Sequence, residues 1–411
     1  MFGDDPIIQT IDDLDLYKPN MQQVLFLKHR QVRGTFAMHN RTAMVRVGDM
    51  VPIEAVREQF DHARTLRHTD AQIANYRATG LYGEPYLSYL KDYALPEIEL
   101  DARDGQIVAC AEGPLCEVSP WETIALAIVN ELYFRAAAKQ SGITTEAAFK
   151  AMCRAGEETL RRKGHALRAL GGVQIIEFGT RRRAFRAWQK RVLEILKDEF
   201  PDLLVGTSNV ALAREFGLLA KGTIAHEMFM AYACIYGGTD EGLRASHNRV
   251  LQDWEAQYGD RLSIALTDTF GTDFFLHDMT PAQAAFWRGT RQDSGDAIAF
   301  GEKLIAFYER LGIDPATKVL IPSDGLDVEE ITRIHRALHR RIILFYGWGT
   351  NLTNDLGIKT LSLVMKLIAC AGRDAVKLSD TRGKHMGPLA EQERYKRTFH
   401  YDGGIDLALV R

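Results

Sequence analysis

The spacing of apolar positions changes along this chain, and each change predicts a different kind of element. Residues 1–20 carry no period, and Pro19 is expected to end any order in Asp15-Leu16-Tyr17-Lys18. Residues 23–28 are apolar enough for a helix or a strand, and Val45-Arg46-Val47-Gly48 reads as a strand and turn. Over residues 53–66, Val56, Phe60, Ala63 and Leu66 recur at helical spacing. Residues 82–93 are rich in aromatics and interrupted by Pro85. From 97 to 118, Ile98, Leu100, Ile107, Val108, Leu115 and Val118 fall in short runs, punctuated by Asp104-Gly105 and Gly113-Pro114, which is the pattern of a β-rich module. A long helix is expected from Pro120 through Ile124, Ile128, Leu132 and Phe134, and a second over 145–170.

After Gly171-Gly172, short apolar runs alternate with amphipathic ones. Strands are expected at 173–178, 203–205, 263–266, 318–321, 342–345 and 363–368. Helices are expected at 182–199, 209–216, 225–236, 296–311 and 328–338. Such alternation predicts an α/β fold with parallel strands. Its length suits a barrel better than a doubly wound sheet. The expected organisation is a mixed α+β domain over 1–170, an α/β barrel over 171–380, and a C-terminal extension over 381–411 packing on one or the other.

Composition narrows the function. Apolar residues make up 46% of the 411 and charged residues 26%, as in ordinary globular proteins. The net charge of −3 gives no global basicity, so no nucleic-acid partner is expected and any phosphate binding must be local. Cys110, Cys116, Cys153, Cys234 and Cys370 are scattered without a Cys-x-x-Cys, which indicates neither a zinc site nor a disulfide framework and fits a reducing compartment. The N-terminus is acidic and lacks the apolar core of a signal peptide. No apolar run approaches the ~20 residues of a membrane span, so a cytoplasmic protein without a membrane partner is expected.

The candidate chemistry gathers in turns after the strands. These are Glu177-Phe178-Gly179-Thr180-Arg181-Arg182-Arg183, Gly206-Thr207-Ser208-Asn209, Thr267-Asp268, Gly289 to Asp296, Ser323-Asp324-Gly325 and Gly347-Trp348-Gly349-Thr350. Parallel strands present their C-terminal ends to one mouth, where substrates bind. Small residues there let backbone N–H groups approach phosphate oxygens, and arginine offers a planar fork. The three arginines read either as a solvated helix start or as companions of a bound anion, since positive charge there opposes the helix dipole. Asp293, Asp296 and Asp324 read as ligands of a cation or of sugar hydroxyls, or as helix caps, which fits Asp296 best. His226 follows Gly222-Thr223-Ile224-Ala225 at the start of an expected helix. It is either a structural histidine or a nucleophile, because imidazole needs no special ionisation to act near neutral pH. No His-Glu-x-x-His, Walker A or Gly-x-Gly-x-x-Gly signature is present.

Together, these segments resemble the nicotinate phosphoribosyltransferase family over nearly the whole chain. The resemblance rests on Asp15-Leu16-Tyr17-Lys18 with Met21-Gln22-Gln23, Glu177 to Arg183, Gly206 to Asn209, Gly222 to Glu227, Arg291 to Asp296, Gly347 to Thr353 and Val376-Lys377-Leu378-Ser379-Asp380, in that order. It implies a smaller domain beside an irregular α/β barrel, and a homodimer with shared active sites. The implied reaction joins nicotinate to phosphoribosyl pyrophosphate in the salvage route to NAD, giving nicotinate mononucleotide and pyrophosphate, with Mg²⁺ and with ATP as co-substrate phosphorylating His226. The resemblance also implies that Tyr17, Phe178 and Arg291 bind nicotinate, with Tyr17 reaching the partner subunit's site to sandwich the pyridine ring against the Phe178 position. Arg181, Ser208, Asn209, Asp293, Asp324, Gly325, Gly347, Gly349 and Thr350 would then serve the ribose and phosphates. The sequence departs from the family pattern at Arg382, where proline is usual, at Trp348, where a smaller apolar residue is, and at Gln292, where histidine or proline is frequent. Alternatives are a relative using nicotinamide or quinolinate, a small-molecule kinase, or a non-catalytic phosphate-sugar binder.

Overall fold

A computed structural model describes residues 5–401, apart from the side chain of Arg382. The chain forms two compact units. The first runs to Gln31 and takes in Thr35–Gly222 and Trp348–Lys366; the second takes in Val32–Gly34, Thr223–Gly347 and the chain from Leu367. The strand–helix alternation alone marks a boundary near residue 170, whereas contact density marks one at Gly222–Thr223. The fold is mixed α/β with parallel sheets.

In the first unit, the helix Tyr17–His29 begins where order was expected to stop. Pro19 lies in its first turn, where a backbone N–H has no intrahelical acceptor, so proline costs no hydrogen bond. Pro85 does the same in the helix Glu84–Asp92. Residues 45–48 are not a strand: Val47–Met50 is a helical turn closed by Val51 N–H to Val47 O, and Gly48 N donates to Gly105 O. The helix Ile53–Thr65 buries Val56, Phe60 and Ala63 as its spacing predicts. Phe60 packs on Trp121, 5.2 Å between centroids, at the start of the largely buried helix Trp121–Gln140. Glu99–Arg103 and Gln106–Pro114 form the expected antiparallel hairpin. Asp104 and Gly105 form its two-residue turn at φ 52° and 72°, the left-handed pair that matches strand twist. Gly113 and Pro114 continue the strand rather than turning it.

Ile175–Glu177 pairs in parallel with Leu204–Thr207 in this unit. In the second unit, Ile264–Leu266, Gly289–Gln292, Val319–Pro322 and Ile343–Leu344 form a four-stranded parallel sheet in that order. Gly289–Gln292, expected as part of a turn, is an inner strand. Its polar sequence conceals this, and a Cβ on Gly289 would strike the Val319 backbone of the neighbouring strand. The strand Leu363–Cys370 stands outside the parallel series; its sheet neighbours are Arg33–Asn40 and Arg373–Asp374. In the second unit the helix Leu389–Thr398 lies against Asp240–Tyr258, with Arg394 donating to Gly237 O at 2.9 Å and Phe399 stacked on Phe270 at 4.3 Å. Residues 402–411 of the expected C-terminal extension lie outside the described residues. Among those described, no helix is long and apolar enough to cross a membrane.

The third of the consecutive arginines is a structural residue. Arg183 is fully buried, and its two terminal nitrogens meet the two oxygens of buried Asp13 at 2.8 and 3.1 Å. Burial alone would raise the Asp13 pKa, but Arg183 outweighs it and holds the carboxyl at about 2. Removing one partner of such a pair strands the other's charge. Arg183→Met is therefore expected to cost about 3 kcal/mol, measured as a lowered urea midpoint at pH 7.

Candidate active site

In the first unit the predicted residues gather at the ends of two parallel strands. The strand Ile175–Glu177 runs into Phe178, whose N–H donates to Trp348 O at 2.9 Å. That bond brings Phe178 beside Gly349 and Thr350, the latter opening the short helix Thr350–Thr353. Gly179 must be glycine here, because a Cβ would collide with the buried Thr353 side chain. Glu177 is buried, accepting from Gly179 N, Gln189 and Thr207, and desolvation lifts its pKa to about 7. The strand Leu204–Thr207 leads into Ser208 and Asn209. Ser208 Oγ donates to Asp15 at 2.6 Å. Asn209 caps the helix Val210–Phe216 through Leu212 N and donates to Asp13 at 2.6 Å, so its side chain holds the scaffold together.

Arg181 joins these loops to the N-terminal helix. Its Nε lies 3.0 Å from Asp15, its Nη1 3.3 Å from Glu122, and its guanidinium 5.3 Å from the Tyr17 ring centroid. Tyr17 is buried, and its hydroxyl donates to Glu122 at 3.2 Å. Lys18 and Lys366 also reach Glu122, at 2.8 and 3.1 Å. Burial would raise the Glu122 pKa; Lys18, Lys366 and Arg181 overcome it and hold the carboxyl well below the usual range.

The second unit assembles the site of His226. The helix His226–Tyr236 starts on this residue, and Thr223 fixes the approach by donating to Ile264 O at 2.8 Å. The imidazole is 5% exposed. Its Nδ1 lies 3.0 Å from Thr269 Oγ1, and its Nε2 is met by Asp293 Oδ2 at 3.0 Å and Lys377 Nζ at 2.9 Å. Asp268 stands behind, 3.6 Å from Nε2, and accepts from Ser294 at 2.6 Å and Ser379 at 3.1 Å. Ser379 is held at φ 60°, a backbone strain of about 1–3 kcal/mol of the kind that clusters at working sites. Arg291 leans on Asp293 at 3.5 Å, and its buried Nε has no hydrogen-bond partner among the described residues, which leaves a donor for an anionic oxygen. Ser323 donates to Asp293 at 3.2 Å. Asp324 is exposed and pairs with Lys384 at 2.6 Å, and Gly325 follows at φ 63°. Gly347 is buried in the strand Tyr346–Trp348. Asp296 is a helix cap, accepting from Ala299 N at 2.7 Å and pairing with Arg333.

Several members of these groups had not been singled out as site residues. Lys377 and Ser379 lie in the Val376 to Asp380 segment, and Asp268 in the turn after a strand, so a signal existed for each. Glu122 and Lys366 sit inside a helix and a strand, where no local pattern separates them from surface charges.

Desolvation sets the charge of His226. Burial is the largest influence on its pKa and Lys377 the next; together they outweigh Asp268 and Asp293 and lower it from 6.5 to about 4. The helix N-terminus also disfavours a cation there. Burial opposes ionisation of the two carboxylates, but Arg291 keeps Asp293 charged and Lys377 keeps Asp268 charged. The ring is thus a neutral base in a charged frame. Between pH 6.5 and about 4 the unfolded chain takes up a proton that the folded one refuses, so this group's contribution to stability falls as the pH falls. Relative to His226→Gln, the wild type is expected to lose stability across that window, by at most about 1.4 kcal/mol per pH unit, in urea titrations at a series of pH values. Parallel curves would mean that the ring is charged in the fold.

The chain as a whole has relatives among known proteins. The sequence profile described as the nicotinate phosphoribosyltransferase (NAPRTase) family matches residues 173–403, and that of the NAPRTase N-terminal domain matches residues 13–130. The crystal structure of a nicotinate phosphoribosyltransferase from Porphyromonas gingivalis is 32% identical, with a TM-score of 0.85 over 96% of this chain and 100% of that one. One from Vibrio cholerae is 30% identical, with a TM-score of 0.83 over 100% of this chain and 97% of that one. With both profiles and whole-length structural likeness in agreement, the chain belongs to the nicotinate phosphoribosyltransferase family.

Proposed function

We propose that this chain is a nicotinate phosphoribosyltransferase coupled to ATP, forming nicotinate mononucleotide and pyrophosphate from nicotinate and phosphoribosyl pyrophosphate. Its product would feed NAD synthesis. The reading is carried by one observation: a buried imidazole, His226, with Lys377 and Asp293 both at Nε2. A neutral ring keeps the lone pair that a phosphoryl acceptor needs, and the lysine beside it neutralises charge on an arriving phosphate. In this reading the terminal phosphoryl group of ATP passes to a His226 ring nitrogen with departure of ADP, and water later releases it as phosphate. That stoichiometry is the ligase-type form of the reaction. Phosphorylation adds about −1.5 to −2 charges to a pocket balanced around Lys377 and Arg291. Such a charge shifts the equilibrium between conformations that bind substrates and release products.

In the transfer step the pyridine nitrogen bonds to C1 of the ribose as the bond from C1 to pyrophosphate breaks. Positive charge grows on the sugar and negative charge on the leaving group. Arginines and backbone N–H groups held at the strand ends stabilise the leaving group without reorganising. Phe178 and Tyr17 would orient the pyridine ring, and the donor left on Arg291 would take its carboxylate. Arg181, Ser208, Gly349, Thr350, Asp324 and Gly325 would serve the ribose and phosphates. Asn209 and Asp293 belong to this reading through the positions they fix, of Asp13 and of His226. Mg²⁺ would enter with phosphoribosyl pyrophosphate and ATP as part of those substrates. The proposed working unit is a cytoplasmic homodimer with shared active sites, consistent with five free cysteines.

The decisive measurement is mass detection of nicotinate mononucleotide from nicotinate and phosphoribosyl pyrophosphate, with and without ATP. No product in either case would overturn the reading. His226→Ala is expected to fold, to incorporate no label from γ-labelled ATP, and to make product at the same rate with or without ATP. Lys377→Met is expected to slow labelling of His226 by about 10²-fold, measured by rapid quench.

A further inference from the structure

We infer that Glu122 is a positioning residue for the nicotinate end of the site, holding Tyr17 and Arg181 in one geometry. The inference rests on the proposed function. Its basis is how one buried carboxylate divides its two oxygens. Oε2 accepts from the Tyr17 hydroxyl at 3.2 Å and meets Lys18 Nζ at 2.8 Å, both on the helix Tyr17–His29. Oε1 meets Arg181 Nη1 at 3.3 Å, on the turn after the strand Ile175–Glu177, and Lys366 Nζ at 3.1 Å, on the strand Leu363–Cys370. The first turn of the helix Trp121–Gln140 supplies the carboxylate, where the helix dipole favours its charge. One side chain thus ties three separate segments to a fourth.

Exposure gives this network a direction. The side chains of Lys18 and Glu122 are 0% and 5% exposed, those of Lys366 and Arg181 21% and 30%. The carboxylates of Glu122 and Asp15 lie behind, and the cationic groups of Arg181 and Lys366 face outward. Arg181 also lies over the Tyr17 ring, which fixes the ring plane as well as the hydroxyl. Without Glu122, Arg181 and Lys366 would lose the carboxylate they share, and the Tyr17 hydroxyl would lose its acceptor there. Glu122 touches no substrate in this account; it sets where Tyr17 and Arg181 stand.

The test is initial-rate kinetics with melting temperatures on Glu122→Gln, Glu122→Asp, Tyr17→Phe and the double variant Tyr17→Phe/Glu122→Gln. Glu122→Gln is expected to raise KM for nicotinate more than tenfold while kcat stays within threefold. Glu122→Asp should recover at least part of that loss. Tyr17→Phe keeps the ring and removes the hydroxyl that donates to Glu122; a rise in KM of several-fold is expected, and the double variant should be no worse than Glu122→Gln alone, because both lesions break one link. If Glu122→Gln fails to fold, Tyr17→Phe and Glu122→Asp carry the test. Wild-type KM values in the folded variants, or fully additive effects in the double variant, would overturn the role. A wild-type enzyme that makes no nicotinate mononucleotide would overturn the substrate reading, and this role with it.

Discussion

The first unit depends on a charge pair taken out of water, in which the two terminal nitrogens of a guanidinium face the two oxygens of one carboxylate. Arg183 and Asp13, both fully buried, hold the N-terminal segment against the loops after Ile175–Glu177 and Leu204–Thr207. Asn209 and Arg186 converge on the same carboxylate. Two residues on, Asp15 receives Ser208 and Arg181, and two further, Tyr17 meets Glu122. The order of these contacts follows the order of the chain. Once Asp13 is seated, the next residues have little freedom over which loop they meet.

The second unit solves a different problem, which is to keep a reactive base neutral among charges. Asp268 and Asp293 would draw a proton onto His226 if they stood alone. Exclusion of water does most to prevent this and Lys377 adds to it, while Lys377 and Arg291 keep the two carboxylates charged. The frame costs something: Ser379 is bent into the left-handed region to place its hydroxyl on Asp268. Strain of that kind persists only where surrounding contacts over-determine it.

Much of this was legible in the sequence where local chemistry and local structure coincide. The face of Ile53–Thr65, the Asp104-Gly105 turn and the Asp296 cap follow from spacing and side-chain type alone. The errors have physical causes. Pro19 and Pro85 read as breakers by residue type, although the first turn of a helix has N–H groups to spare. Gly289–Gln292 reads as a loop because its neighbours, not its own residues, make it a strand. His226, Phe178, Arg181 and Arg291 stood out because glycines and small polar residues surround them. Glu122 did not, since only the fold brings Tyr17, Lys18, Arg181 and Lys366 to it.

The contact between Gly179 and Thr353 bears on how such a chain can vary. The backbone at Gly179 passes so close to the buried threonine that there is room for one of the two side chains but not for a larger total. Either position can gain atoms only if the other gives them up or the turn carrying Phe178 and Arg181 moves. The two sites, 174 residues apart in the chain, therefore share a single volume allowance. Through it the composition of the Gly347 to Thr353 turn is tied to the placement of the residues proposed to hold the pyridine ring and the phosphate.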